Sequence, residues 1–423
     1  MSDTETDLVP STMLEGTATA SSYPEELLPS ALEEMEKLRR AADLFESYIR
    51  PGITLKDGRY RPFRKLGKGQ SALVWLARDI IDDRYVAIKV SRYSLTQEHL
   101  RETSLLKHIR EHHISSHAGN EHVIELLDDF LETVPGGPCA CLVSLPLGRQ
   151  VETVLSDFDE DHPAPYSFCR SISIQLLQAL DYLHRQGIIH GDLHLGNVLL
   201  KLKYDIDSDS EEDIKAKNTR GNELNDPDDP FSLDDRTVIS FDTPVDANIV
   251  LVDFGASTRL TEVSGGSWRH GYPIEYRAPE VVTEAAWVTY KTDVWALGCA
   301  IYRIIAGQPL FPPDGWDREE LDFMHICGFV ERLGPMPESL CTGWIDSDRY
   351  VTSDGHLREP FPEDERELPL NEAIREVKPI GMKEAELEAF IEFMNLIFRL
   401  EPTERSSTTE LLQHRWVTEF GND

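Results

Sequence analysis

His190-Gly191-Asp192-Leu193-His194-Leu195-Gly196-Asn197 decides the reading of this chain, because it sets a carboxylate and a carboxamide a few residues apart in a turn-rich loop. Downstream come Asp253-Phe254-Gly255 and then Ala278-Pro279-Glu280. Phosphoryl transfer passes through a loose transition state with its charge on phosphate oxygens, so a protein must supply a positioned base and oxygen ligands for magnesium. Asp192, Asn197 and Asp253 are residues of those types. Upstream, Leu66-Gly67-Lys68-Gly69-Gln70-Ser71-Ala72-Leu73-Val74 reads as a glycine-rich loop between two strands, and Val86-Ala87-Ile88-Lys89 as a strand carrying a lysine. Glycine belongs where backbone passes close to phosphate, since a Cβ would hold the chain away. Either pattern alone is weak, and their order ahead of the other two gives them weight.

Asp293-Val294-Trp295-Ala296-Leu297-Gly298 opens an apolar helix, and Glu401-Pro402-Thr403-Glu404-Arg405 precedes a C-terminal helix ending near Trp416. With these pieces, the chain from about Tyr60 to Trp416 resembles the eukaryotic protein kinases. Within them it is most similar to the SR-protein kinases (SRPK) of the CMGC group, in Tyr48-Ile49-Arg50-Pro51-Gly52, Val74-Trp75-Leu76-Ala77-Arg78-Asp79 and Val123-Ile124-Glu125-Leu126-Leu127-Asp128-Asp129-Phe130. The resemblance implies an α+β bilobal fold with a small β-rich N-lobe and a larger, mainly helical C-lobe. It implies ATP and Mg2+ as cofactors and serine or threonine in basic, Arg/Ser-rich protein segments as substrate.

Residues 1–58 read as an N-terminal extension, disordered to about 25 and helical over 26–48, where Leu27, Leu28, Leu32, Met35 and Leu38 keep helical spacing. Residues 59–147 would form the N-lobe with the hinge, and 148–423 the C-lobe. Two insertions interrupt the C-lobe. One, 201–247, has the acidic core Asp205 to Asp213 and is expected to be disordered, with Ser208 and Ser210 set among carboxylates. The other, about 333–377, stands where CMGC kinases carry an insert.

By the same resemblance Asp192 accepts the proton of the substrate hydroxyl, and Asn197 and Asp253 hold the metal. Lys89 pairs with the α- and β-phosphates and is held by a glutamate of the next helix, for which Glu102 fits better than Glu98. Leu66 through Val74, Ala87, Ser144, Leu145 and Leu147 line the nucleotide, the last two through hinge backbone on either side of Pro146. Glu280 and Arg405 form a buried ion pair, and His190 supports the loop.

Four positions depart from the family. Gly191 replaces an arginine that commonly clamps an activation-loop phosphate, so activity without phosphorylation is the simpler expectation. His194 replaces a lysine beside the γ-phosphate, and neutral imidazole substitutes for it in part. Ile274 stands where CMGC kinases commonly carry arginine. Ser144, at the gatekeeper position, leaves room behind the adenine.

Composition sets the remaining bounds. A formal net charge of -34 disfavours nucleic acid as a direct partner and favours basic ones. No apolar run reaches the ~20 residues of a membrane span, and the acidic start is unlike a signal peptide. Six cysteines without a Cys-x-x-Cys pair indicate neither zinc nor disulfides. A monomer in the cytoplasm or nucleus is expected. Two other readings stay open: a pseudokinase scaffold, and a small-molecule phosphotransferase of the aminoglycoside- or choline-kinase type, whose catalytic loop resembles His190 to Asn197.

Overall fold

The structure is a computed structural model that describes residues 48–69, 72–91, 97–134, 137–159, 162–216, 247–263, 270–284, 288–312, 315, 318–345, 347–359, 362 and 366–420. Period-2 patterning builds the first lobe. Strands β1 (Tyr60–Lys68), β2 (Ala72–Asp79), β3 (Arg84–Ser91), β4 (Asp128–Val134) and β5 (Gly137–Ser144) form one antiparallel sheet in the order β1-β2-β3-β5-β4. Leu73, Trp75, Ala77, Val86, Ile88 and Val90 point to one face and pack with Cys139, Cys141 and Val143. Their alternates Leu76 and Tyr85 join Phe63 on the other face. Alternate strand residues share a side, so one run of sequence supplies two apolar layers. Helix α1 (Gln97–Glu111) follows β3 and buries Leu105, Leu106 and Ile109.

The second lobe is mainly helical. Helix α2 (Tyr166–Arg185) buries Phe168, Ile172, Leu176 and Leu180, a ladder of every fourth residue that keeps one face inward. Short strands carry the loops of interest: β6 (Leu147–Gln150), β8 (Val198–Lys201) and β9 (Ile249–Leu251) form a sheet in the order β6-β8-β9, and β7 (Ile188–Ile189) pairs with β10 (Thr258–Arg259). His190 to Asn197 therefore hangs between two anchored strands.

The acidic insert also yields a short helix, α3 (Glu211–Ala216). Disorder expected over 201–247 does not hold for its first part, because Ile206 and the buried Ile214 add to the Phe63, Leu76 and Tyr85 cluster. Acidity alone was a poor guide there: two isoleucines in the run supply the apolar surface. Residues 217–246 lie outside the described residues, as do 1–47, where the N-terminal helix was expected.

Helix α4 (Tyr290–Ala306) is the central post. Thr289 and Thr292 make a capping box at its start, and Gly307 at φ 75° ends it in the left-handed conformation that glycine tolerates. Around Trp295 stand Phe311, Phe329 and Phe398, with ring centroids 5.0–5.5 Å away. The second insert is not only a polar run. It contains helices Glu338–Gly343, Ser347–Tyr350 and Leu370–Glu376, and buries Met336, Leu340, Val351, Leu370 and Ile374.

No helix among the described residues is long and apolar enough to cross a membrane. All six cysteines are unpaired.

Candidate active site

Lys89 is carried on β3 and reaches across the cleft between the lobes. Its Nζ donates to Glu102 Oε1 at 2.6 Å and to Asp253 Oδ1 at 2.8 Å. Glu102 stands one turn into α1 with its side chain 5% exposed, while Glu98 in the first turn of α1 faces solvent. Burial would favour a neutral lysine, but the two carboxylates outweigh it and raise the Lys89 pKa. In return the Lys89 charge holds the Asp253 carboxyl down to about 2. Asp253 takes φ 65°, an uncommon conformation for a residue with a side chain, and its carboxylate stays 45% exposed toward the cleft. Phe254 is buried, its ring edge to face with His190 at 5.3 Å.

The loop from His190 is moored from below. Asp293 near the start of α4 accepts from the backbone N–H of His190 at 2.8 Å and of Gly191 at 3.0 Å, and from Tyr272 Oη at 2.5 Å. His184 Nε2 lies 3.1 Å from its other face. Full burial pushes the Asp293 pKa up, yet these hydrogen bonds and charges bring it below the usual carboxylate value. Gly191 sits at φ 78°, where a side chain would be strained, so the place of the expected arginine is a backbone turn here. The His190 ring is buried between the Val252 carbonyl and the Asp192 N–H, a supporting position.

Asp192 faces the cleft. The Asn197 Nδ2 donates to the Asp192 backbone oxygen at 2.9 Å and to Asp192 Oδ2 at 3.2 Å, which leaves the Asn197 side-chain Oδ1 for another partner. Burial raises the Asp192 pKa, and the nearby histidines and the Asn197 hydrogen bond offset only part of this. Gly271 presses against it: a Cβ there would lie 2.7 Å from Asp192 Cγ. His194 Nδ1 accepts from the Gly196 N–H at 3.1 Å, and Nε2 stands 3.9 Å from Asp192 Oδ2. With Nδ1 used as an acceptor, the proton of a neutral ring lies on Nε2, on the Asp192 side.

The described part of the expected nucleotide wall lies on β1, β2, β3, β5 and the start of β6. Gly67 pairs with Val74 and Lys68 with Leu73, and the Gly69 N–H closes the turn on the Ala72 oxygen at 2.9 Å. Leu66, on β1, packs against the Phe63, Leu76 and Tyr85 cluster, and Gln70 and Ser71 lie outside the described residues. Ala87 faces Ser144 across the β3–β5 pair, Ser144 Oγ donates to the Leu145 oxygen at 3.3 Å, and Leu147 opens β6 after Pro146. A cavity of about 750 Å³ lies behind the hinge, lined by Leu106, Leu145, Leu147, Tyr204 and Ile206. It shares no residue with Lys89, Asp192 or Asp253, so the interlobe cleft and not that cavity carries the chemistry.

The donor set suits a magnesium nucleotide. An exposed carboxylate, an amide oxygen, a lysine held between carboxylates and a glycine at position 67 with open space at its Cβ position converge on one cleft. Sequence reading passed over Asp293, seen only as the start of an apolar helix. A charge standing beside Val294, Trp295, Ala296 and Leu297 was the available signal.

This fold and cleft define a protein kinase, and the chain belongs to the protein kinase domain family, which it matches over residues 60–417. It is a serine/threonine protein kinase, and its curated relatives include kinases of that kind. One from Aspergillus fumigatus is 28% identical over 95% of this chain and 94% of that protein. The serine/threonine-protein kinase SRPK of Physarum polycephalum is 28% identical over 85% of this chain and 86% of its own length. Protein kinase dsk1 of Schizosaccharomyces pombe is 24% identical over 86% and 81%. A solved kinase domain shares the fold with a TM-score of 0.60 at 22% identity, over 86% of this chain and 97% of that one.

Proposed function

We propose that this kinase transfers the γ-phosphate of ATP to serine and threonine hydroxyls in basic, Arg/Ser-rich protein segments, with Asp192 as the base. The observation that carries the reading is the pair of linkages in one cleft: Lys89 to Glu102 and Asp253, and Asn197 to Asp192. Magnesium-bound ATP supplies the phosphoryl group. Asp253 and the Asn197 side-chain Oδ1 would be the metal ligands, and Lys89, kept in place by Glu102, would hold the α- and β-phosphates. Leu66 to Val74 covers the nucleotide, with Ala87 and the Leu145 and Leu147 backbone at its base.

Asp192 accepts the hydrogen bond of the substrate hydroxyl, aims its oxygen and takes its proton as the new bond forms. A carboxyl pKa raised by burial makes a better base than an ordinary aspartate. His194 Nε2 stands 3.9 Å from Asp192 Oδ2, where the kinase pattern usually carries a lysine. The resemblance to SR-protein kinases and the net charge of -34 support the choice of basic substrates.

Asp192→Asn tests the assignment. It should reduce transfer to a peptide by about 100-fold or more while Mg-ATP affinity, read by calorimetry, changes little. Substantial turnover in the purified variant would remove Asp192 as the base. Nucleotide binding without transfer in the wild type would favour a pseudokinase scaffold.

A further inference from the structure

The segment that leads into Ala278-Pro279-Glu280 is tied to the residue just before Asp192 from both sides. Gly271 donates its N–H to the Gly191 oxygen at 2.8 Å. Tyr272 Oη donates to Asp293 Oδ1 at 2.5 Å, and the same oxygen accepts the Gly191 N–H at 3.0 Å. Gly191 is thus held at its acceptor by Gly271 directly and at its donor by Tyr272 through Asp293. Further along, Glu280 is fixed by Arg405, so the stretch from Gly271 to Glu280 is pinned at both ends.

Contact reinforces the bonds. Gly271 is not among the residues with a left-handed backbone, so φ does not demand glycine there. Space does: a Cβ would lie 2.7 Å from Asp192 Cγ and 2.9 Å from each of its carboxylate oxygens. The Gly271 backbone therefore forms a wall for the whole Asp192 carboxyl group. Tyr272 is 1% exposed, and its backbone oxygen accepts from Arg277 Nε at 3.1 Å. Burial and the Asp293 charge keep the Tyr272 pKa well above its ordinary value, so the hydroxyl stays a donor. The other Asp293 oxygen is occupied by the His190 N–H and His184. Removing the Tyr272 hydroxyl leaves this buried carboxylate one donor short, in the group that sets the Gly191 turn.

We propose that Tyr272 is a positioning residue for phosphoryl transfer: through Asp293 it fixes the Gly191 turn, and together with Gly271 it holds the Asp192 carboxylate at the angle the acceptor hydroxyl requires. It acts where the family pattern would place an arginine at position 191. The anchor comes from the segment's own side and uses a neutral hydroxyl.

This role rests on the kinase reading, and one arm of its test needs no turnover. Tyr272→Phe removes only the hydroxyl. Tyr166→Phe is the control, because the Tyr166 hydroxyl donates to buried Glu386 at 2.6 Å in a pair that shares no residue with the cleft. Full-length wild type, both variants, Asp293→Asn and the Tyr272→Phe/Asp293→Asn double variant are compared by peptide phosphorylation with Mg-ATP, calorimetry with Mg-ADP, thermal melting and hydrogen exchange. Tyr272→Phe should lower kcat about tenfold, the scale of a misaligned reacting group, with the Mg-ADP Kd within about twofold of wild type. Exchange should quicken in the peptides that contain Gly191 and Gly271. Tyr166→Phe should lower Tm comparably and leave kcat and those peptides unchanged. The double variant should transfer no more slowly than Asp293→Asn alone, because both changes act through one carboxylate. Gly271→Ala, which sets a methyl against the Asp192 carboxyl and leaves Tyr272 untouched, should lower kcat at least as far as Tyr272→Phe.

A Tyr272→Phe kcat within about twofold of wild type, a loss matched by Tyr166→Phe, wild-type kcat in Gly271→Ala, or unchanged exchange at Gly191 and Gly271 would overturn the proposal. Absence of transfer by the wild type would instead overturn the kinase reading, and exchange would still decide whether Tyr272 fixes the loop.

Discussion

Asp192 is held in a state that its chemistry needs and its burial opposes. Its folded pKa is raised, so between the unfolded and folded values the native state binds more protons than the unfolded chain. Stability therefore falls as pH rises through that window, and the full penalty is present above the folded value. Asp192→Asn removes the charge, and it should melt at or above the wild-type temperature at pH 7 despite its loss of activity. A melting temperature several degrees lower would show that the carboxylate is net stabilising. For the same reason the acid limb of the kcat–pH profile should lie above the pKa of an ordinary aspartate, whereas a limb at or below that value would assign it elsewhere. Ser144 offers a second residue-scale expectation. Its small side chain opposite Ala87 should admit ATP-competitive inhibitors with bulky aryl groups, and Ser144→Phe should block them. Equal inhibition of both proteins would mean that no such space exists.

Among the elements, the end of the activation segment is fixed by one buried pair. Arg405 reaches Glu280 through two bonds of 2.7 Å with both side chains at most 1% exposed. Arg405 also donates to the Arg399, Lys291 and Leu400 oxygens and lies 4.9 Å over Trp295. Arg405→Met should cost about 3–5 kcal/mol in chemical denaturation, because a buried Glu280 charge would lose its partner. A loss below about 1 kcal/mol would mean that Glu280 protonates or that water enters.

Elements also show where sequence reading stopped. His190 to Asn197, Asp253 to Gly255 and Ala278 to Glu280 carry the fold because their chemistry requires those residues in that order. Spacing alone left Glu98 and Glu102 as rivals, and only the direction of α1 against β3 separates them. The mooring role of Asp293 depends on α4 lying beneath the loop, a long-range contact with no local pattern. The ordered start of the acidic insert was missed because composition averages over a window, and Ile206 and Ile214 act singly against the N-lobe.

For the whole molecule the governing quantity is charge. If acidic surface gathers arginine-rich segments, raising salt from 50 to 300 mM should increase KM for such a peptide far more than for a neutral one, since the screening length falls to well under about 10 Å. Equal sensitivity would leave the charge of -34 as a matter of solubility. The most direct measurement is phosphate incorporation by the purified wild type, with Mg-ATP, into an Arg/Ser-repeat peptide, an acidic serine peptide and a basic peptide without Arg/Ser repeats. The predicted result is phosphoserine in the Arg/Ser peptide with the highest kcat/KM of the three. Preference for the acidic peptide, or no incorporation into any of them while nucleotide still binds, would contradict it.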